Sequence, residues 1–303
     1  MPTIEDSSFL IVGLARNCVQ TLERDIRSLF SAFNFAKKII FLIIESDSSD
    51  GTPKLLRKLS IENQNFYFIS LGNLRDRYPK RTDRIAHCRN YYMRLIKEGS
   101  QYRDVHYIVV ADMNGVNSKL DTAAIKSCWN REDWDVCTAN QLGPYYDIWA
   151  LRHEFLSPND CWEQARFMRS LGLSRFKAVL SAVYSRMVRV PPTSKWIEVE
   201  SAFGGLAIYR QESIQFVNYV GLTDFGEEIC EHVSAHKQIR LSGGRIFINP
   251  ALINAGVVGH ARNATSFGLI KFWFSCQAHD LAYFLRLVQF WQKVRSFKGG
   301  QSA

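Results

Sequence analysis

The chain has no C-x-x-C pair. Its seven cysteines stand apart, at positions 18, 88, 128, 137, 161, 230 and 276. An odd, scattered set excludes a zinc ribbon and a disulfide framework, and it points to reduced thiols in a cytosolic setting. No window reaches the roughly 20 uncharged apolar residues that a membrane span requires. The opening MPTIEDSSFLIVGLARN carries no basic segment ahead of its short apolar run, so no signal peptide is expected. G-x-G-x-x-G is missing after that run, and G-x-x-x-x-G-K-[ST] is missing throughout. A dinucleotide enzyme and a P-loop NTPase are therefore disfavoured. There are no repeats and no low-complexity segments.

What is present is the composition of a globular protein. The 303 residues are 47% hydrophobic and 22% charged, enough to bury a real core. The formal net charge of +9 calls for an anionic partner. Nucleic acid, anionic lipid and a phosphorylated small molecule all fit that charge, but the basic residues are spread along the chain and no nucleic-acid motif appears.

Short apolar runs alternate with amphipathic stretches through the first half. Residues 9–15, 38–46, 66–72 and 106–113 read as strands, and 18–33, 52–62 and 83–99 as helices, with Thr52 as cap of the second. This order predicts an α/β fold: an open, mostly parallel twisted sheet covered by helices on both faces. Residues 157–195 read as a polar and aromatic, mobile insert. Strands are expected at 203–210 and 243–254, and a separate helical element at 265–298.

Ligands of such sheets bind at the carboxyl ends of the strands. Ala15 to Asn17 follow the first strand, ESDSSDGT (Glu45 to Thr52) follows the second, and ADMNGVN, containing Asp112, Met113 and Asn114, follows the fourth. A carboxylate at that edge suits Mg²⁺ or Mn²⁺, which take oxygen ligands from protein and phosphate alike. Each motif also has a plainer reading. Asp50-Gly51-Thr52 makes a turn and a cap by itself, and DRIAHCRN, with Arg84 and Arg89, could be a solvated helix face. Trp149 between Asp147 and Arg152 suits a stacked sugar ring, or is a core tryptophan beside an ion pair. His232 and His236 stand four apart, which is also metal-ligand spacing.

ARN, ESDSSDGT, RIAHCRN and a strand ending in ADMN, in this order, resemble nucleotide-sugar glycosyltransferases of the GT-A fold. Over residues 8–117 both order and spacing agree with D-D-x-S-x-D-G-T, R-x-x-x-x-R-N and D-x-D patterns of that family. YYDIWALR, AFGGLAIYR and EEICEHVSAH look like a subgroup acting on polysaccharide or glycolipid chains, including capsule mannosyltransferase-like proteins. The resemblance implies a GT-A-like catalytic domain over 1–264, with a donor half at 8–117 and an acceptor half at 118–264. Ala15, Asn17, Glu45, Asp47, Arg84, Asp112 and Met113 would meet a UDP- or GDP-sugar. Asp112 and Asn114 would hold Mn²⁺ or Mg²⁺. Asn114 replaces the family's second carboxylate, so His260 would complete the metal shell. Trp149, Arg152, Gly204, Gly205 and His232 would meet the acceptor or the moving sugar.

Glu231 would be the base of an inverting transfer, with Glu227 and Glu228 as rivals. The acceptor would be a glycan or lipid-linked saccharide. The aromatic, basic tail at 265–303 would lie on the inner leaflet or pack on the domain. The competing functions are a metal-dependent hydrolase using Asp112, His232 and His236, and a basic binder of membrane or nucleic acid.

Overall fold

The computed structural model describes residues 3–299. In chain order the elements are β1 (Ser8–Ala15), α1 (Val19–Ala32), β2 (Lys38–Glu45), α2 (Thr52–Glu62), β3 (Phe66–Ser70), α3 (Arg81–Glu98), β4 (Tyr107–Ala111), α4 (Thr122–Lys126), β5 (Val136–Gln141), α5 (Cys161–Ser170), α6 (Arg175–Ala182), β6 (Ile197–Val199), β7 (Leu206–Arg210), α7 (Gln211–Ile214), α8 (Glu231–Leu241), β8 (Ile246–Ala255) and α9 (Ser266–Gly299).

The strands form one sheet in the order β3-β2-β1-β4-β7-β5-β8-β6. β3, β2, β1 and β4 are mutually parallel. β7 runs antiparallel between β4 and β5, β5 and β8 are parallel, and β6 closes the far edge antiparallel. The expected open, mostly parallel sheet with two helical faces is what forms.

Alternation along the strands builds both faces. Leu10 and Val12 of β1 join Leu42, Ile108, Val110 and Tyr209 beneath α3 and α8. Phe9 and Ile11 join Phe41, Ile43, Val109 and Ile208 beneath α1 and α2. Period-2 side chains make a two-faced core unavoidable when every position of a strand is apolar.

One local expectation is corrected. Thr52 is not the cap of α2 but lies inside the helix; Asp50 Oδ1 accepts its N–H at 2.9 Å, and Thr52 Oγ1 accepts from Cys18 N at 2.9 Å. The 157–195 segment carries its own secondary structure. It folds into α5 and α6, capped by Asp160 and Ser174, and buries Cys161, Ala165, Val179 and Ala182 in the core. The tail is one helix, α9, and its first turns pack on the domain through Phe272, 5.7 Å from the Phe176 ring and 5.0 Å from that of Tyr184. Among the described residues no helix is long and apolar enough to cross a membrane.

Candidate active site

The carboxyl ends of β1, β2 and β4 open into a cleft of about 1200 Å³. Two loops floor it. Asn17 (φ 49°) and Asp47 (φ 56°) are the non-glycine residues with left-handed backbone among those described. Asn and Asp tolerate that region because their short side chains bond locally, and here they tie the loops together. Asn17 Oδ1 accepts from Ser49 N at 2.8 Å, and Asp47 Oδ1 accepts from Leu74 N and Arg75 N at 3.1 and 3.0 Å. Ala15, Asn17, Asp47 and Arg84 all line the cleft. Arg84 also spends one guanidinium nitrogen on the carbonyls of Tyr78 and Pro79, at 2.6 and 2.8 Å, and its Nε stands 3.9 Å from Asp47 Oδ2.

Glu45 does not line the cleft. It is buried, taking Ser48 N on Oε1 at 3.1 Å and the Ser70 hydroxyl on Oε2. Its side chain is occupied in joining β2 to β3 and to the loop above them.

Asp112 follows β4 directly. Its N–H donates to Gly205 O at 3.0 Å, and its carbonyl accepts from Asn117 Nδ2 at 2.9 Å. A buried amide network continues beneath it. Asn254 Nδ2 donates to Asn117 Oδ1 at 3.0 Å and to Gly204 O at 2.8 Å, and Gln141 Nε2 donates to Asn254 Oδ1 at 3.2 Å. Behind the loop, Asp25 of α1 takes Gly115 N on Oδ2 at 2.7 Å. Buried amides left unpaired are costly, so this network fixes the Asp112 backbone. Met113 is buried against β1, and Asn114 points outward with Oδ1 accepting from Val116 N at 3.3 Å.

The Asp112 carboxyl is pushed up to about 7. Loss of surrounding water is the main cause; Arg89 pulls the other way, Asp147 and Glu231 push it further up, and Arg81 opposes them.

Glu231 begins α8 and faces the cleft. Arg89 Nε donates to its Oε1 at 2.9 Å, and a second Arg89 nitrogen lies 3.0 Å from His232 Nε2. Phe203 stacks on His232 with ring centres 3.9 Å apart. The rival carboxylates stand elsewhere: Glu228 accepts from Thr82 N at 3.0 Å, and Glu227 is exposed near Arg166. Neither lines the cleft.

Trp149 lines the cleft, with Nε1 donating to Asp160 at 2.9 Å. Arg152 does not reach it: its guanidinium is spent on Asp160 at 3.0 Å and on the carbonyls of Trp149 and Leu151. Gly204 and Gly205 also lie behind the surface, at φ 69° and 85°. A Cβ would stand 2.7 Å from Ala139 O at Gly204, and 2.7 Å from Tyr146 Oη at Gly205. Their carbonyls and N–H groups hold Asp112, Asn254 and Asp147 in place. Both glycines thus hold backbone in place behind the lining of the cleft.

His232 and His236, the pair of the zinc and hydrolase reading, are engaged at three of their four ring nitrogens, while His232 Nδ1 has no hydrogen-bond partner among the described residues. His236 is sealed between Ser201 Oγ at 2.9 Å and Tyr209 Oη at 2.8 Å, and Arg89 takes His232 Nε2. His260 stands in the short turn Gly259–Ala264, just after cleft-lining residues 255–259; its side chain lies outside the described ones.

Among the described residues no group of three or more His, Cys, Asp or Glu could hold a metal. The donor set instead suits Mg²⁺ or Mn²⁺ bound by one carboxylate, with substrate phosphates and water filling the shell. Asp112, under pressure from two neighbouring carboxylates, is where a dication relieves charge.

Two functional residues were only half visible in sequence. Asp147 lines the cleft and accepts from Gly204 N at 3.0 Å; its signal was its place beside Trp149. Arg89 joins Glu231 to His232, and its signal was the R-N pair.

No protein-family model matches this sequence, and no curated protein matches it. Solved structures do. A mannosyltransferase of Pyrobaculum calidifontis, in complex with GDP-Man and Mn²⁺, is 12% identical over 82% of this chain and 56% of that one, with a TM-score of 0.43. S. aureus TarS 1-349 in complex with UDP-GlcNAc is 12% identical over 80% of this chain and 55% of that one, TM-score 0.41. Glucosyl-3-phosphoglycerate synthase of Mycobacterium tuberculosis, in complex with UDP, is 11% identical over 82% and 69%, TM-score 0.37. The chain spans little more than half the length of the first two.

Proposed function

We propose that the protein is a glycosyltransferase, moving a hexose from a UDP- or GDP-sugar to a hydroxyl of a glycan or lipid-linked saccharide. One observation carries the reading: Asp112 and Glu231, coupled through Arg89, face one cleft at the carboxyl edge of the parallel strands.

The nucleoside end of the donor lies over the Asn17 and Asp47 loops, and Arg16, Arg81 and Arg84 supply positive charge for the diphosphate. Asp112 and Asn114 are the residues that would hold Mn²⁺ or Mg²⁺, with His260 the third ligand to test. Such an ion neutralises charge on the departing diphosphate. Glu231 accepts the acceptor's proton. Arg89 fixes its Oε1, and no described residue bonds Oε2. As the acceptor oxygen bonds to the anomeric carbon, the bond to the diphosphate oxygen breaks, and the proton passes to Glu231. That is an inverting displacement. Trp149 offers a ring for the sugar face.

A thermal-shift screen of UDP-, GDP-, CMP- and dTDP-sugars with and without Mn²⁺ tests donor and metal together. UDP- or GDP-sugars should raise the Tm, more so with Mn²⁺, and Asp112→Ala should abolish the metal's increment. If no nucleotide sugar shifts the wild-type Tm, the reading fails.

A further inference from the structure

α9 presents two different sides. Phe272 and Cys276 face the domain. Phe267, Ile270, Phe274, Leu281, Phe284 and Leu285 are 51 to 68% exposed. At 100° per residue these six, with Trp273, fall within about 120° of the helix circumference. This is a continuous apolar stripe on a surface helix, larger than scattered exposed side chains explain.

Its chemistry selects an occupant. Four of the seven residues are aromatic. Residues 266–303 carry five basic side chains (Lys271, Arg286, Lys293, Arg295, Lys298) against one acid, Asp280. Lys271 and Arg286 are exposed, and Lys271 Nζ lies 4.7 Å above the Phe267 ring. A self-pairing seam wants interlocking aliphatic residues and complementary flanking charges. Here two copies would bring bulky rings together and oppose cation to cation. Aromatics at the depth of lipid headgroups with cations at their edge instead match an anionic bilayer surface.

We infer that α9 docks the protein on anionic membrane, with the stripe buried at the headgroup boundary. The geometry gives the contact a purpose. Tyr184, which packs on Phe272 and accepts from Asn263 Nδ2 at 2.9 Å, also lines the cleft. One layer of protein thus separates the docking helix from the site. That this layer brings the cleft to a lipid-linked acceptor rests on the glycosyltransferase reading; the docking itself does not.

The test uses the full chain and sedimentation with vesicles of phosphatidylcholine alone or mixed with phosphatidylglycerol. Wild type should pellet with the anionic vesicles only. Phe274→Asp/Leu281→Asp should reduce binding by about tenfold or more. Should those aspartates lower the Tm, Lys271→Glu/Arg286→Glu takes their place: it should weaken anionic binding at least about tenfold and flatten its salt dependence. Wild type remaining in the supernatant, or variants that all partition like wild type, overturns the proposal. So does a wild-type dimer that ignores vesicles and is split by the aspartates, since the stripe would then belong to a second copy. None of these outcomes depends on donor binding.

Discussion

Arg89 is a single guanidinium shared by an acid and an imidazole, with aromatic rings of Phe203 and Tyr219 each 5.6 Å from its centre. Removing it would leave Glu231 buried and unpaired, which typically costs about 3–5 kcal/mol. Arg89→Met should therefore lower stability by that order in denaturant melts. Arg89→Met/Glu231→Leu should recover a good part of the loss while remaining inactive. Asp25 invites a finer comparison. Its pKa is raised by burial, and Oδ1 has no partner among the described residues. Asp25→Asn keeps an acceptor for Gly115 N and should be nearly neutral, whereas Asp25→Leu orphans that N–H and should cost about 1–3 kcal/mol. Both are read from chemical unfolding midpoints. Asp112→Ala should keep its fold and lose turnover by a factor on the order of 10² to 10³ or more.

At the scale of elements, β1, β2 and β4 were legible because unbroken apolar runs bounded by polar turns have few alternatives. The edge residues Asp112, Asn17 and Asp47 were legible for the same reason, since a strand's end fixes what stands on the sheet's rim. Glu45 misled because a strand-end carboxylate can turn toward the neighbouring strand as easily as toward the ligand. Gly204 and Gly205 were recognisable as special, but their task depends on Tyr146 and Ala139, which nothing local reveals. The Asn117–Asn254 pair spans 137 positions and leaves no trace in a linear pattern. Gly205→Ala tests the packing: the new methyl meets Tyr146 Oη and Val116 at a backbone φ of 85°. A loss of about 1–3 kcal/mol, with turnover falling alongside, is expected.

Helix α8 adds a pH dependence. Burial drives the pKa of His232 well below its ordinary value and that of His236 to about 3, with the Arg89 charge acting in the same direction on both. The unfolded chain therefore takes up these two protons first. Their contribution is complete above about pH 6.5 and is lost as pH falls below it, for His236 toward 3. Asp112, raised to about 7, acts oppositely and takes one proton in the folded state first. With two histidines set against one carboxyl, stability should fall as acid is added between pH 6 and 4 in chelator-treated protein. Stability that is flat or rising with acid across this range would mean that the histidines are charged in the fold.

Across the whole molecule, the first half could be read in order because β1, β2 and β3 lie side by side in sequence order and β4 returns to the free edge of β1. The second half could not, since β7, β5 and β8 interleave out of sequence and place their loops only in three dimensions. Charge is a property of the same scale. With +9 overall and Arg16, Arg81 and Arg84 on the cleft, nucleoside diphosphate affinity should drop as salt rises from 50 to 500 mM, measured by titration calorimetry.

The reversed strand β7 has one more outcome. Because it runs against β4, it begins where β4 ends, and Gly205 meets Asp112 at that junction. The chain from the end of β5 to the start of β7 is therefore a cassette pinned at both ends, with α5 and α6 inside it. Its inner part can change in length while the pinned ends, where Tyr146 and Asp147 meet Gly205 and Gly204, keep Asp112 in place. Residues 148–196 are thus where this wall of the cleft, with Trp149, Trp162 and Tyr184 on it, can vary without moving the rim of the sheet.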